Sequence, residues 1–185
     1  MTIKILTDSG SDLPLNFFEE NNVTLFPLKV LVNQEEFDDL VSITPEELYT
    51  AQAQNKNTST SQVSPQTFEE VFTQMAQNNE DGIYICFSGA LSGTYSTAQM
   101  ILNQVKEEYP NFQLTIIDTK CASLGLGLCV MNAGNLLKEG KSKLEIIEAV
   151  TYTANHMEHL FTVDNLEHLA MGGRISKTSA LVVVY

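Results

Sequence analysis

Tryptophan is absent from this sequence of 185 residues, and basic residues are scarce. Ten lysines and arginines stand against 23 aspartates and glutamates, which gives a net charge of −13. A protein that binds nucleic acid needs clustered basic residues to displace counterions from phosphates. Anionic membrane surfaces repel a chain of this charge. The composition therefore predicts no nucleic-acid partner and no lasting residence on a membrane surface.

Long apolar runs are also missing. None approaches the roughly 20 residues that cross a bilayer, and the N-terminus lacks the charged and apolar regions of a secretory signal. The three cysteines, Cys86, Cys121 and Cys129, have neither CxxC nor zinc-site spacing. Cys86 and Cys129 lie in apolar segments, which is typical of small buried core residues. These features predict a cytoplasmic protein without a transmembrane segment.

Sequence motifs for nucleotide binding, metal binding and serine hydrolysis are absent or incomplete. Neither a Walker loop nor G-x-G-x-x-G occurs. His156 and His159 have the spacing of two ligands on one helical face, but no third ligand has the spacing of a zinc site. The G-x-S-x-G turn is missing as well. A hydrolase that uses Ser92 with a histidine remains an alternative, because catalytic triads occur in any chain order.

The most informative stretch is SGALSGTY, at residues 88–95. It follows the apolar run 83–87 and precedes apolar residues with helical spacing at 98–102, which predicts a strand, a small-residue turn and a helix. The first N–H groups of a helix lack intrahelical partners and attract anions. The stretch therefore predicts an anion-binding turn. An ordinary strand-to-helix connection with Ser92 as N-cap is the alternative.

A second pair of hydroxyls lies at Thr60 and Ser61, in a predicted loop just ahead of a helix that begins at Pro65. We expect the two hydroxyl-rich segments to form one pocket, with the residues Thr60, Ser61, Ser92, Gly93 and Thr94. Many apolar residues are neighbours of these segments. Such a pocket suits a carboxylate head with an apolar tail, because each buried CH₂ contributes about 0.8 kcal/mol.

The order of predicted elements indicates an α/β fold, with a mostly parallel sheet and helices on both faces. Residues 23–32 read as one strand that is kinked at Pro27. From about residue 158 the pattern changes. A strand at 160–163 and an apolar strand at 181–185 predict the start of a second α/β domain, so we expect domains at 1–157 and 158–185.

Five ordered motifs carry a family resemblance. They are TDSGSDL at 7–13, TSQVSP at 60–65, SGALSGTYSTA at 88–98, IID at 116–118 and VDNLEHLAMGGRIS at 163–176. Together they resemble the DegV family of bacterial fatty-acid-binding proteins, some of which are the lipid-carrying subunits of fatty acid kinase. The resemblance implies an N-terminal α/β domain like that of dihydroxyacetone kinase, followed by a second, lipid-tail-binding α/β domain. It also implies a chain truncated within that second domain.

By this resemblance, Thr60 and Ser92 hydrogen-bond the carboxylate of a fatty acid such as palmitate or oleate, and N–H groups around Gly93 and Thr94 assist. Arg174 resembles the family's arginine near the head group, where it contacts either the ligand or the kinase. The resemblance further implies a non-catalytic chain with no metal and no cofactor besides the lipid. Its expected partner is the kinase catalytic subunit, which converts the fatty acid into an acyl phosphate for phospholipid metabolism.

Two positions depart from the family pattern. Gly89 stands where the family usually has a second serine, so one hydroxyl is missing. Val63 stands where the family usually has proline. Two other functions remain open at this point, namely a hydrolase or phosphotransferase that uses Ser92 and a chain that retains an interaction surface alone.

Overall fold

The computed structural model describes residues 3–162, 170 and 172–174. Its strands and helices in chain order are β1 (Ile3–Asp8), α1 (Leu15–Glu20), β2 (Val23–Phe26), β3 (Lys29–Val32), β4 (Glu35–Asp38), α2 (Pro45–Ala53), β5 (Thr58–Ser61), α3 (Pro65–Gln77), β6 (Asp81–Cys86), α4 (Thr94–Glu108), β7 (Leu114–Asp118), α5 (Ser123–Lys138) and α6 (Lys143–Asn155). A single 3₁₀ turn, Ser9–Ser11, follows β1.

The central sheet is parallel and has four strands in the order β2-β1-β6-β7. Strands β1 and β6 lie in the middle, and most of their residues are buried, as expected for strands covered on both faces. The chain leaves β1 toward one side to form β2 and returns on the other side to form β6. This reversal opens a crevice at the carboxyl ends of β1 and β6. The predicted mostly parallel sheet is confirmed.

Helices cover both faces of the sheet, which is also confirmed. Helices α3 and α4 pack on one face around an aromatic cluster, in which the ring of Phe26 lies 4.7 Å from Phe68 and 5.1 Å from Tyr84. Helices α1, α5 and α6 pack on the other face. Cys86 belongs to the first core and Cys129 to the second, as the sequence predicts. Burial raises the pKa of the Cys129 thiol to about 12.

A second, antiparallel sheet of three strands has the order β4-β3-β5. This sheet contradicts two expectations from the sequence, one for residues 23–32 and one for Thr60. Residues 23–32 form two strands in different sheets rather than one kinked strand, and Pro27 lies in the crossing between them. Thr60 lies in β5, where it pairs with Val30, and not in a loop. The polar segment 58–61 becomes a strand because pairing with β3 outweighs its local composition.

Toward the end of the described residues, helix α6 stops at Asn155. His156 and His159 therefore do not share a helical face, and residues 160–162 do not form the predicted strand. The predicted strand at 181–185 lies outside the described residues, so the domain division at 157/158 stays a prediction. Within the part of the chain that is described, no helix combines the length and apolar character needed to cross a bilayer.

Helix α5 approaches the Ser9–Ser11 turn closely through Gly127. A Cβ atom placed on Gly127 would lie 2.6 Å from the carbonyl oxygen of Ser11, which is too close for van der Waals contact. Gly134 in the same helix has no such neighbour within 4 Å. One glycine is therefore required by packing, whereas the other carries the ordinary cost of glycine in a helix.

We expect Gly127→Ala and Gly134→Ala to have opposite effects on stability. Gly127→Ala forces α5 away from the turn and should lower the free energy of unfolding by about 1–3 kcal/mol. Gly134→Ala should raise it by about 0.5–1 kcal/mol, because alanine is the better helix former. Urea denaturation of both variants measures the difference. Equal effects would show that α5 does not pack against the turn as described.

Candidate functional site

A cavity of about 920 Å³ lies beside the carboxyl ends of the parallel strands. Its wall includes the hydroxyl residues Thr60, Ser61 and Ser92. The greater part of the wall is apolar and consists of Leu28, Val30, Leu48, Phe87, Leu91, Leu124, Leu128, Met157, Leu160 and Phe161. The volume is within the range of roughly 300–1,000 Å³ that small-molecule sites occupy. The cavity thus combines a small polar region with an extended apolar surface.

The two hydroxyl segments meet through the buried side chain of Thr94. Its hydroxyl pairs with Ser92 Oγ at 2.9 Å and accepts the N–H of Val63 at 3.4 Å. The Thr94 N–H donates to Ser92 Oγ at 3.2 Å. Gln62 extends across the same junction and donates to Thr97 Oγ1 at 2.7 Å. These bonds fix the end of β5 against the start of α4.

Thr60, Ser61 and Ser92 line the cavity as expected for ligand contacts, but Gly93 and Thr94 do not appear in its wall. The Thr94 side chain is fully buried, and its N–H is already engaged by Ser92. The predicted N-cap also shifts by one residue, since α4 is capped by Gly93. The direct ligand contacts assigned to each of these residues stay predictions.

Arg174 lies at the cavity wall and is exposed. Its guanidinium donates from Nη1 to the carbonyl oxygen of Gly172 at 2.6 Å. One of its donors is therefore used within its own turn. The geometry leaves open both of its predicted contacts, the ligand and the partner kinase.

Sequence reasoning did not single out Lys120 and Asp39, which also line the cavity. Lys120 follows β7 and has a left-handed backbone with φ of 57°. Burial raises the pKa of Asp39, a hydrogen bond from Ser9 opposes the shift, and the charge of Asp12 adds to it. The sequence contained a signal for Lys120. It directly follows a predicted strand, and residues that follow neighbouring parallel strands meet at one edge of the sheet.

Neither His156 nor His159 hydrogen-bonds Ser92, although His159 lines the same cavity. His159 Nε2 accepts the N–H of Ala122 at 3.3 Å. His156 Nδ1 donates to the carbonyl oxygen of Tyr152 at 2.8 Å, and the two rings stack at 4.1 Å. His168 lies outside the described residues. Within the described ranges, no group of His, Cys, Asp and Glu has the arrangement of a metal site.

Asp8 is a buried carboxyl group beneath the crevice. Its Oδ2 accepts the Tyr84 hydroxyl at 3.0 Å and the Phe87 N–H at 2.9 Å, while Oδ1 accepts the Gly10 N–H at 3.2 Å. Burial raises the pKa of Asp8 from 3.8 to about 6, although these hydrogen bonds oppose the shift. The carboxyl group ties the end of β1 to Phe87, which lines the cavity.

The raised pKa of Asp8 predicts a pH-dependent stability. The folded chain keeps a proton that the unfolded chain releases between pH 3.8 and about 6. The free energy of unfolding should therefore fall as the pH rises through this window. With 1.36 kcal/mol for each pKa unit, the fall due to Asp8 between pH 5 and pH 7 is about 1 kcal/mol.

Urea denaturation of the wild type and Asp8→Asn at both pH values isolates this contribution, because asparagine does not titrate. At each pH, the free energy of unfolding of Asp8→Asn is subtracted from that of the wild type. This difference should be about 1 kcal/mol smaller at pH 7 than at pH 5, because only the wild type loses the contribution of Asp8. A difference that is the same at both pH values would mean that Asp8 titrates alike in the folded and unfolded chains.

Comparison with known proteins gives the family. The protein-family model described as "uncharacterised protein, DegV family" matches residues 2–184 of this sequence. The DegV domain-containing protein CPE0026 of Clostridium perfringens is 37% identical over 180 residues, which cover 96% of this chain and 62% of the relative. The chain therefore spans less than two thirds of the length of this relative.

Solved structures agree with this result. A DegV family protein from Thermus thermophilus, described by its fatty acid binding, matches with a TM-score of 0.84 and 33% identity, over 100% of this chain and 64% of its own. The fatty acid kinase B3 protein of Streptococcus pneumoniae, loaded with linoleic acid, matches with a TM-score of 0.82 and 26% identity, over 99% of this chain and 65% of its own. In both sequence and fold, this chain belongs to the DegV family.

Proposed function

We propose that this chain binds a long-chain fatty acid and presents its carboxylate to a separate kinase, which forms an acyl phosphate. One observation carries the proposal: hydroxyls from two distant segments meet in one cavity whose remaining wall is mainly apolar. A fatty acid has the same division, with an anionic head that needs donors and a tail that needs apolar surface. Palmitate and oleate are the candidate ligands.

The head group takes its hydrogen bonds from Thr60, Ser61 and Ser92 in this proposal. Within the described part of the chain, the hydroxyls of Thr60 and Ser61 make no hydrogen bonds, so they are available as donors. Ser92 is half-buried and is held in place by Thr94. A hydrogen bond to a charged group contributes about 1.5–3 kcal/mol. These hydroxyls are sufficient to orient a carboxylate.

The hydrocarbon tail packs along the exposed apolar wall. Leu124, Leu128 and Phe161 have exposed fractions of 70%, 52% and 76%, which leaves a large apolar surface facing solvent. Surfaces of this kind typically mark binding sites. Burial of a dozen methylene groups contributes about 10 kcal/mol before the cost of association. The tail therefore supplies most of the affinity, and the head sets the orientation.

A carrier fits the geometry better than a serine-dependent enzyme. The Ser92 hydroxyl pairs with the Thr94 hydroxyl, and the hydrogen bonds of His156 and His159 go to Tyr152 and Ala122 rather than to Ser92. Nucleophilic catalysis by serine requires a base within hydrogen-bond reach. The relative from Streptococcus pneumoniae is a fatty acid kinase component, which supports a kinase as partner. Arg174, which is exposed at the cavity wall, is the proposed contact with the ligand or with that partner. A cytoplasmic location belongs to the same proposal.

We expect Thr60→Val to weaken oleate binding by about 1–3 kcal/mol, because a head-group donor is lost while the side-chain shape is kept. Ser59→Ala is the matched control, since Ser59 lies on the same strand but outside the wall of this cavity. Its affinity for oleate should equal that of the wild type. Fluorescence displacement or calorimetry measures the affinity of the wild type and both variants for oleate.

Mass spectrometry of gently purified protein provides the second measurement and should detect bound fatty acid. Protein that carries no lipid and takes up neither palmitate nor oleate would refute the proposal. If Thr60→Val binds oleate as tightly as the wild type, the head group lies elsewhere. Covalent labelling of Ser92 by a fluorophosphonate would instead favour the hydrolase.

A further inference from the structure

Lys120 is the cationic side chain of the cavity wall that adjoins the turn at residues 88–93. It follows β7, whose end lies beside the end of β6 in the sheet, with Cys86 opposite Asp118. The two following loops are in direct contact, because the N–H of Ser88 donates to the carbonyl oxygen of Cys121 at 2.9 Å. Lys120 therefore reaches the same cavity as Ser92 from the neighbouring strand.

The backbone of Lys120 is held in an unfavourable conformation. Its φ of 57° is in the left-handed region, which a residue with a Cβ atom and a long side chain adopts at a cost. The carboxylate of Asp118 maintains it, since Oδ1 accepts the N–H of Lys120 at 3.1 Å and that of Gly89 at 3.0 Å. Thr119 adds a bond from its hydroxyl to the carbonyl oxygen of Cys86 at 2.8 Å. Backbone conformations of this kind concentrate at ligand-binding positions.

The ammonium group of Lys120 forms no hydrogen bond or ion pair with the residues that the structure describes, and the side chain is exposed. Asp39 and Glu158 also line the cavity, but neither pairs with it. The chain carries a net charge of −13. An anionic head at Thr60 and Ser92 would experience these negative charges, and hydroxyls supply hydrogen bonds without a compensating positive charge. Arg174 is a second cation of the wall, but one of its donors is used by the carbonyl oxygen of Gly172.

We propose that the Lys120 ammonium binds the negative charge of the ligand head and makes the cavity select anionic amphiphiles over neutral ones with the same tail. This inference rests on the proposed function and adds its charge specificity. Fatty alcohols and fatty acid methyl esters are the neutral lipids that the site would discriminate against. Asp118 acts as a positioning residue, because it holds the backbone from which the lysine reaches the head.

The test compares oleate with oleyl alcohol in the full chain and in Lys120→Asn. Asparagine tolerates the left-handed region and carries no charge. We expect Lys120→Asn to bind oleate about 10- to 100-fold more weakly than the wild type, as for a lost hydrogen bond to a charged group. Binding of oleyl alcohol should stay within about twofold, because a neutral head makes no charge pair. Added salt should weaken oleate binding to the wild type more than to the variant.

Two further variants separate charge from shape. Lys120→Arg keeps the charge and should retain most of the oleate affinity. Lys141→Asn makes the same change in net charge at an exposed position after α5, where Lys141 pairs with Glu145, and should bind oleate like the wild type. The thermal unfolding midpoint of ligand-free Lys120→Asn should be no lower than that of the wild type, since asparagine relieves backbone strain.

The outcomes separate this inference from the proposed function. If the wild type binds oleate and Lys120→Asn binds it equally well, the role of Lys120 is refuted while fatty acid binding stands. A parallel loss of oleate and oleyl alcohol would show that Lys120 has a structural role, which also refutes the inference. A wild type that binds neither lipid refutes both proposals.

Discussion

The buried hydroxyl of Thr94 is the contact on which the site depends, because it joins two segments that are far apart in the sequence. It pairs with Ser92 and accepts the N–H of Val63, and Gln62 spans the same junction to Thr97. A polar group that loses its partner in such surroundings has no water to replace it. The end of β5 and the start of α4 are therefore held as one unit, and the hydroxyls of β5 keep a fixed position relative to Ser92.

Carboxylates at the same edge of the sheet serve mainly as acceptors for backbone N–H groups. Asp8 accepts N–H groups from Gly10 and Phe87, and Asp118 accepts those of Gly89 and Lys120. Asp8 thereby fixes the loops after β1 and β6, and Asp118 fixes those after β6 and β7. This use of acidic residues explains how a strongly acidic chain builds the surroundings of a site that we assign to an anion.

The cavity combines a rigid polar region with an apolar wall that is open to solvent. Hydrogen bonds hold the polar region, whereas Leu124 and Leu128 on α5 remain largely exposed. Exposed leucines and the left-handed Lys120 both cost stability in the ligand-free protein. Such costs are expected where side chains are arranged for a ligand rather than for the core, and burial of a hydrocarbon tail would offset part of them.

The sequence by itself determined the α/β class, the parallel sheet, the start of helices such as α3 at Pro65, and three hydroxyl residues that line the cavity, Thr60, Ser61 and Ser92. Apolar periodicity and capping residues act over a few positions, so a single chain reveals them. Only the tertiary structure decided that residues 58–61 form a strand, that Thr94 is buried, and that β5 and the start of α4 line one cavity. These features depend on pairing between distant segments, which local composition does not encode.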